Sequence, residues 1–317
     1  MKSLQSVFAG RLALYLELRR SLGFCCQDQA FILQSFDTFA CQRNHTGLLT
    51  QDLALDFATS NPNSSTNYCA RRYQVLRHFS EFLAAYEPTT PILDPKALPR
   101  SQARIPRHIY TDEEIQRILD EARRVSPNNP VRGLTFHAMI GLAASSGLRI
   151  GEVVGLDRVD VDLKTGMLVV RQSKFGKSRL VPLHNTTLEV LRKYAAVRDA
   201  SFPDCKDAAF FVHSGLRRYA KNTLERVFAG LAFRAGLRGP KGRGPSFHSL
   251  RHRFAVKRLV TWYKAGIDVQ GMLPALATYM GHVHYSDTAY YLKATAELLT
   301  LAAERYQSWL EQGEGLS

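Results

Sequence analysis

Long apolar runs, paired cysteines and an excess of acidic residues are all absent from this chain of 317 residues. No apolar stretch reaches the length needed to cross a bilayer, which argues against a membrane-spanning helix. The first ten residues lack a basic segment that leads into a long apolar one, so the sequence shows no signal peptide. We therefore expect a cytoplasmic protein with no membrane partner.

Cysteine is scarce and unpaired in the sequence. The five cysteines are odd in number and form no CxxC motif. This pattern disfavours structural zinc and a disulfide framework, and it favours reduced thiols. The cysteines are Cys25, Cys26, Cys41, Cys69 and Cys205.

Positive charge, in contrast, is abundant, with a formal net charge of +14. Lysine and arginine that neutralise phosphates release counterions, so this charge suggests a polyanionic partner such as nucleic acid. Residues 1–87 carry 8 Lys and Arg against 7 Asp and Glu, whereas residues 88–317 carry 34 against 21. The alternative interpretation is a solvated basic surface that only aids solubility.

The chain divides into two predicted domains and a linker. Residues 1–87 place apolar side chains at helical spacing in four short segments, which predicts a compact helical domain. Residues 88–108 are rich in proline and basic side chains, which predicts an extended linker. Residues 109–317 form the second predicted domain.

The second domain opens with a helix start signal, since Thr111 and Glu114 have the spacing of a capping box. Most of the domain has helical periodicity, but residues 167–171 and 179–183 read as two strands of a hairpin. The predicted class is mainly α with a small antiparallel β-sheet. A final helix is expected over residues 287–310, and it presents the tyrosines.

Two basic motifs lie in the first half of this domain. In SGLRIGE, Arg149 follows the glycine that ends one helix and precedes the start of another, a position that suits phosphate recognition. Glu152 is expected to hold the guanidinium or to cap the helix. In SKFGKSR, Lys174 lies at the hairpin tip, where an amine can donate a proton to a leaving oxygen. Each motif alone indicates no more than an ordinary charged turn.

Two histidine motifs lie further along the chain. His248 and Arg251 are three residues apart at the start of an amphipathic helix. The four-residue spacing of His248 and His252 also fits zinc, but Ser249 stands where a zinc protease helix carries Glu, so a metal site is not expected. The MGH sequence ends a helix and places His282 shortly before a tyrosine pair. Tyrosines on helices are usually core or interface residues.

The four motifs together resemble the catalytic set of the tyrosine recombinase (phage integrase) family in content, order and approximate spacing. SGLRIGE is similar to the first arginine box, SKFGKSRLVPL to the β-hairpin lysine motif, HSLRH to the His-x-x-Arg box, and YMGH to the leucine-glycine-histidine box. The family's nucleophile stands nine residues after that histidine. The implied catalytic residues are Arg149, Lys174, His248, Arg251, His282 and Tyr291.

The resemblance also implies an architecture and an activity. A helical core-binding domain at residues 1–87 would precede a mixed α/β catalytic domain at residues 109–317, whose C-terminal helix contacts a neighbouring protomer. The expected activity is site-specific recombination through a 3′-phosphotyrosyl intermediate, for integration, excision or transposition of a mobile element, with no metal or other cofactor. Expected partners are double-stranded DNA and further copies, as a dimer on a site and a tetramer in synapsis, or related recombinases.

Some features leave alternatives open. Tyr290 adjoins Tyr291 and competes with it as nucleophile, because successive helical residues point about 100° apart. His284 adds an imidazole without an assigned role. Rival functions are a catalytically inactive DNA-binding protein of the same fold, a dimer-resolving recombinase, and an enzyme similar to type IB topoisomerases.

Overall fold

A computed structural model describes residues 4–24, 26–98, 108–126, 128–171, 178–239, 244–282, 285–293 and 296–314. The chain separates into two compact units, with the division between Ile105 and Pro106. Each unit has its own apolar core. We call the described residues 4–98 the helical unit and residues 108–314 the second unit.

The helical unit consists of α-helices, and the last two of them start at residues whose side chains cap the helix. The hydroxyl of Thr50 accepts a hydrogen bond from the Leu53 amide, and that of Ser65 accepts one from the Tyr68 amide. The helices are α1 (Ala9–Ser21), α2 (Gln27–Gln42), α3 (Gln51–Thr59) and α4 (Thr66–Tyr86). Helical spacing in the sequence therefore predicted the elements of this unit.

Aromatic rings fill the core of the helical unit. Phe36 is fully buried and contacts the rings of Phe8 and Phe57 at centroid distances of 5.3 Å each. Phe79 packs against Tyr15 from the neighbouring helix. Such rings bury large apolar areas and favour tilted or edge-to-face contacts, so they stabilise the unit both by burial and by ring packing.

The first residues of the predicted linker belong structurally to the helical unit. Leu93 is 1% exposed and lies in the core of that unit. The hydroxyl of Tyr73 donates to the carbonyl of Asp94 at 2.8 Å, and the Asp94 amide donates to the Gln51 side chain. Within residues 88–98, Leu93 and Asp94 are thus held against the helical unit, whereas Ile92 is 64% exposed. The rest of the predicted linker, up to residue 107, lies outside the described residues.

The second unit is mainly helical with one small sheet, so the predicted class is confirmed. Among its described residues, 3₁₀ turns occur at Arg158–Asp160 and Tyr290–Lys293. The helices and strands are α5 (Asp112–Arg123), α6 (Pro130–Ser146), α7 (Ile150–Gly155), β1 (Val161–Asp162), β2 (Met167–Val170), β3 (Arg179–Pro182), α8 (Asn185–Ser201), α9 (Lys221–Arg234), α10 (His248–Lys264), α11 (Val269–Met280), α12 (Tyr285–Ala289) and α13 (Ala296–Glu314).

The sheet is antiparallel, in the order β1-β2-β3. Leu168 of β2 pairs with Val161 on one side and Val181 on the other, and all three are buried against the main core. The sequence predicted β2 and β3 but missed β1, since two residues are too few to show an alternating pattern. The hairpin tip that contains Lys174 lies outside the described residues.

The predicted final helix over residues 287–310 is wrong in one respect, because the structure divides it. Tyr290–Lys293 form a 3₁₀ turn between α12 and α13, and this turn packs against α10. Aromatic residues have modest helix propensity, which favours the change of geometry at the tyrosine pair. The tyrosines therefore lie on a turn between helices.

The second unit contains two apolar clusters of buried residues. The larger one surrounds α6 and the sheet, and the smaller one includes Phe254, Leu259, Leu273, Met280 and Tyr291. Helix α10 contributes to both. Among the described residues, no helix is both long and apolar enough to cross a membrane.

Candidate active site

The corner between α6 and α7 positions Arg149. Gly147 ends α6 with φ 66°, and a Cβ there would lie 2.6 Å from a ring carbon of Phe254, so this position requires glycine. Arg149 then takes an extended conformation before α7 begins. Its amide and its guanidinium both donate to the carboxylate of Glu152, each at 2.9 Å. Glu152 thus caps the helix and holds the guanidinium, as the sequence predicted.

Arg251 lies on the buried side of α10 and is 2% exposed. Its Nη1 donates to the carbonyl of Gly147 at 2.7 Å, and its Nη2 donates to the carbonyl of Met280 at 2.5 Å. Burial, together with the nearby charge of Arg149, lowers the pKa of Arg251 to about 10. The side chain therefore stays protonated at neutral pH and carries a buried positive charge.

The carbonyl end of α11 accepts hydrogen bonds from three guanidinium groups. The Tyr279 carbonyl accepts from Nε of Arg179 at 2.7 Å. The Met280 carbonyl accepts from Arg251, and the Gly281 carbonyl accepts from Nη2 of Arg149 at 2.9 Å. The last carbonyls of a helix are unsatisfied within the helix and carry partial negative charge, so they suit these cations.

Glu152 is the carboxylate at the centre of this group. Both of its oxygens accept from Arg179, at 3.0 and 2.9 Å, and each also accepts from Arg149, one from the guanidinium and the other from the amide. Burial by itself would raise the pKa of Glu152, but hydrogen bonding and charge from Arg179 and Arg149 outweigh it and lower that pKa. The arginine cluster, which we define as Arg149, Arg179, Arg251 and Glu152, holds three cations around one anion. Such a cluster favours binding of a further anion.

His282 follows the helix end directly and faces the arginine cluster. Its Nδ1 lies 2.7 Å from the hydroxyl oxygen of Thr288, which is fully buried. Burial, and after it the nearby charges of Arg251 and Arg149, lower the pKa of His282 to about 4. At neutral pH the imidazole is therefore uncharged, and it can donate a hydrogen bond from one ring nitrogen only.

The two tyrosines differ sharply in environment. Tyr291 is 3% exposed, and its ring stacks on that of His282 at a centroid distance of 6.1 Å and an angle of 19°. The ring of His252 contacts the Tyr291 ring edge to face, at a centroid distance of 5.2 Å. Tyr290 is 40% exposed. Of the pair, Tyr291 is the one that lies beside the histidine and the arginine cluster.

His248 is exposed at the first residue of α10. Its ring contacts that of His252 at 4.7 Å, and His252 in turn contacts Tyr291. His248 and Arg149 also line a cavity of about 710 Å³, together with Arg171 at the end of β2. The position of His248 is therefore at the rim of the site, although the sequence placed it on one helix face with Arg251.

Four of the six predicted residues meet at the carbonyl end of α11, namely Arg149, Arg251, His282 and Tyr291. Lys174 and His284 lie outside the described residues. Sequence reasoning missed Arg179 and Thr288. Arg179 lies within the quoted hairpin motif, but its role depends on contacts with residues 27 and 100 positions away. For Thr288, the sequence offered no indication of a role other than its position three residues before Tyr291.

Comparison with known proteins gives a consistent picture. The phage integrase family matches this chain over residues 109–297. The integrase/recombinase y4rE of Sinorhizobium fredii is 47% identical over 92% of this chain and 93% of its own length. The tyrosine recombinase XerD of Brucella suis is 32% identical over 73% of this chain and 72% of its own.

Solved structures show the same fold at lower identity. The Tn1549 transposon integrase in complex with transposon right end DNA has a TM-score of 0.66 at 16% identity, covering 93% of this chain and 98% of that one. A lambda integrase tetramer bound to a Holliday junction has a TM-score of 0.60 at 20% identity, covering 87% and 77%.

Proposed function

The chain belongs to the phage integrase family and is a tyrosine site-specific recombinase, and we propose that it cuts DNA by forming a covalent bond between Tyr291 and a 3′-phosphate. The observation that carries this proposal is the meeting of Arg149, Arg251 and His282 at one helix end, beside the ring of Tyr291. Fixed cations and donors around a phosphate stabilise the added negative charge of a pentavalent transition state.

The chemistry assigned to these residues is a phosphoryl transfer. The phenol oxygen of Tyr291 bonds to phosphorus while the bond from phosphorus to the 5′ oxygen breaks. Arg149 and Arg251 bind the non-bridging oxygens, and His282 donates a further hydrogen bond. Loss of either arginine is expected to raise the barrier by about 2 to 4 kcal/mol. The phosphotyrosine retains the energy of the phosphodiester, so attack by a 5′-hydroxyl rejoins DNA without ATP.

Two proton transfers accompany the exchange. We propose that Lys174 protonates the departing 5′ oxygen and that His248 assists removal of the phenol proton. His248 and Arg149 line the same cavity, which supports a role for His248 near the phosphate. The assignment of Lys174 rests on the hairpin motif alone.

We propose that the helical unit contributes to DNA binding and that copies of the chain assemble on DNA as dimers and tetramers. The net charge of +14 supports a DNA partner; most of it lies in residues 88–317, so the role of the helical unit rests on the family resemblance. Leu299 and Tyr306 on α13 are 55% and 60% exposed, which supports contact with a neighbouring protomer. Light scattering of the chain with and without its DNA site tests the assembly, and a monomer under both conditions would contradict it.

We propose a mobile element as the biological context. Identity to the integrase/recombinase y4rE is higher and covers more of the chain than identity to XerD. A plasmid with two element ends in direct orientation should yield an excised circle in the presence of the protein, detected by amplification across the new junction. If only dimeric plasmids with a single site are resolved, the dimer-resolving alternative takes its place.

A nicked duplex that loses its short cleavage product tests the proposed nucleophile. The wild type, Tyr291→Phe and Tyr290→Phe are incubated with a duplex taken from the element ends, and adducts are separated under denaturing conditions. We expect adducts in the wild type and in Tyr290→Phe and none in Tyr291→Phe. Loss only in Tyr290→Phe moves the nucleophile by one residue. Tight binding without any adduct favours the inactive DNA-binding alternative.

A further inference from the structure

A buried hydroxyl contacts the histidine of the site. Oγ1 of Thr288 lies 2.7 Å from Nδ1 of His282, and Thr288 is fully buried on α12. His282 follows the end of α11, and Thr288 precedes Tyr291 by three residues. One hydrogen bond therefore joins the residue that faces the arginine cluster to the segment that carries the tyrosine.

The chemical meaning of this contact depends on the protonation of His282. Its low pKa leaves a neutral ring at physiological pH, and the single ring proton is then on either Nδ1 or Nε2. The partner of one nitrogen decides which nitrogen carries that proton. A threonine hydroxyl can donate or accept: if it donates to Nδ1 the ring proton lies on Nε2, and if it accepts from Nδ1 the ring proton lies on Nδ1.

Charged groups surround the ring from several elements. Arg251 of α10, Arg149 before α7 and Arg179 of β3 disfavour a positive imidazole, whereas Asp287 of α12 favours it. The arginines outweigh the carboxylate, so the tautomer of the neutral ring, rather than its charge, sets what His282 offers to a ligand. A lone pair on Nε2 would repel phosphate oxygens, and an N–H there would attract them.

We propose that Thr288 is a positioning residue whose hydroxyl donates to Nδ1 of His282 and thereby holds the ring proton on Nε2, ready for a non-bridging phosphate oxygen. This inference rests on the proposed function, in which His282 donates to the phosphate. The same bond fixes the turn that leads to Tyr291 against the end of α11, so donor and nucleophile share one support.

The tautomer can be observed without DNA. In the full chain with ¹⁵N-labelled histidine, the ring signals of His282 are assigned by their loss in His282→Gln. We expect protonated Nε2 and unprotonated Nδ1 in the wild type and in Thr288→Ser, and a mixture of tautomers in Thr288→Val. Protonated Nδ1 in the wild type, or an unchanged spectrum in Thr288→Val, would overturn the proposal.

Adduct formation on the nicked duplex tests the consequence. Thr288→Val should slow adduct formation about tenfold, and Thr288→Ser should stay within about twofold of the wild type. Thr135→Val is a matched control, because Thr135 is equally buried and its hydroxyl donates to the Val131 carbonyl at 2.7 Å, away from the site. This control should change the rate by less than about twofold.

A double variant distinguishes action through His282 from general damage. In a His282→Gln background, Thr288→Val should cause no further loss, since the ring it acts on is absent. An additional tenfold loss there would show a purely structural role and would overturn the proposal. If the wild type itself forms no adduct, the proposed function fails, and the histidine spectra alone decide on Thr288.

Discussion

The helical unit and the arginine cluster are stabilised by different interactions. In the helical unit, fully buried rings such as Phe36, Phe57 and Phe79 pack against one another. In the arginine cluster, Arg251 is as deeply buried, but it is surrounded by main-chain carbonyls and like charges. Buried apolar rings stabilise a fold directly, whereas buried cations bring a desolvation penalty that their partners only partly offset.

This difference separates stability from chemistry within one chain. The helical unit should lose stability when its rings are shortened, in proportion to the volume removed. As defined, the arginine cluster sets one carboxylate against three guanidiniums, so its own charges do not balance among the described residues. That imbalance costs stability in the absence of a ligand and becomes favourable when an anion binds.

The largest expected effect comes from the helical unit. Phe36→Ala should lower the free energy of unfolding of that unit by about 3 to 5 kcal/mol, because it leaves a cavity among fully buried rings. Phe31→Ala on the same helix removes a ring that is 65% exposed. It should change the free energy of unfolding by less than about 0.5 kcal/mol. Urea unfolding followed by circular dichroism measures both, and equal effects would contradict the assigned core.

Substitution of Arg179 is expected to have a smaller effect on the free energy of unfolding. Arg179→Met should destabilise the second unit by about 2 kcal/mol, because Glu152 stays buried with fewer donors. Adding Glu152→Gln should restore part of this stability but not adduct formation, since Arg149 then loses its carboxylate. Lys264→Met is the control: its amine pairs with Glu297, the two side chains are 60% and 55% exposed, and the change should cost at most about 1 kcal/mol.

Urea midpoints and adduct rates of the Arg179 variants are measured side by side. Unchanged stability in Arg179→Met would show that its hydrogen bonds to Glu152 do not stabilise the unit. Full recovery of adduct formation in the double variant would show that the carboxylate is dispensable for placing Arg149.

At neutral pH the smallest expected effect is that of His282, because its contribution to stability changes only on acidification. Its pKa is about 4 in the folded chain and 6.5 ordinarily, so above pH 6.5 both folded and unfolded states hold a neutral ring. As the pH falls from 6.5 to 4, the unfolded state takes up a proton that the folded state does not, and stability declines. Urea midpoints between pH 4 and 8 should fall less steeply in His282→Gln. Parallel profiles would contradict the lowered pKa.

Local patterns in the sequence predicted much of the fold. The four short helical segments predicted in residues 1–87 are present as α1 to α4, of which the last spans Thr66–Tyr86. The capping box at Thr111 and Glu114 forms both of its hydrogen bonds. Such features depend on residues within one or two turns of each other, which is the range over which helical periodicity carries information.

The site could be predicted only in part. The family resemblance supplied the residues that meet at the end of α11, but it did not reveal what holds them. Arg149 bonds to a carbonyl 132 residues later, and Arg251 to one 104 residues earlier. Contacts across such distances follow from packing and leave no periodic mark.

The carbonyl end of α11 has a consequence for how the sequence can vary in evolution. A carbonyl oxygen belongs to the main chain, so no substitution at Tyr279 or Met280 can delete the acceptor that these positions offer to an arginine. Gly281 differs, because it has φ 66° and a Cβ there would stand 2.8 Å from Nη1 of Arg179. Mutational tolerance at this helix end is therefore set by backbone shape, and the residue with no side chain is the one least free to change.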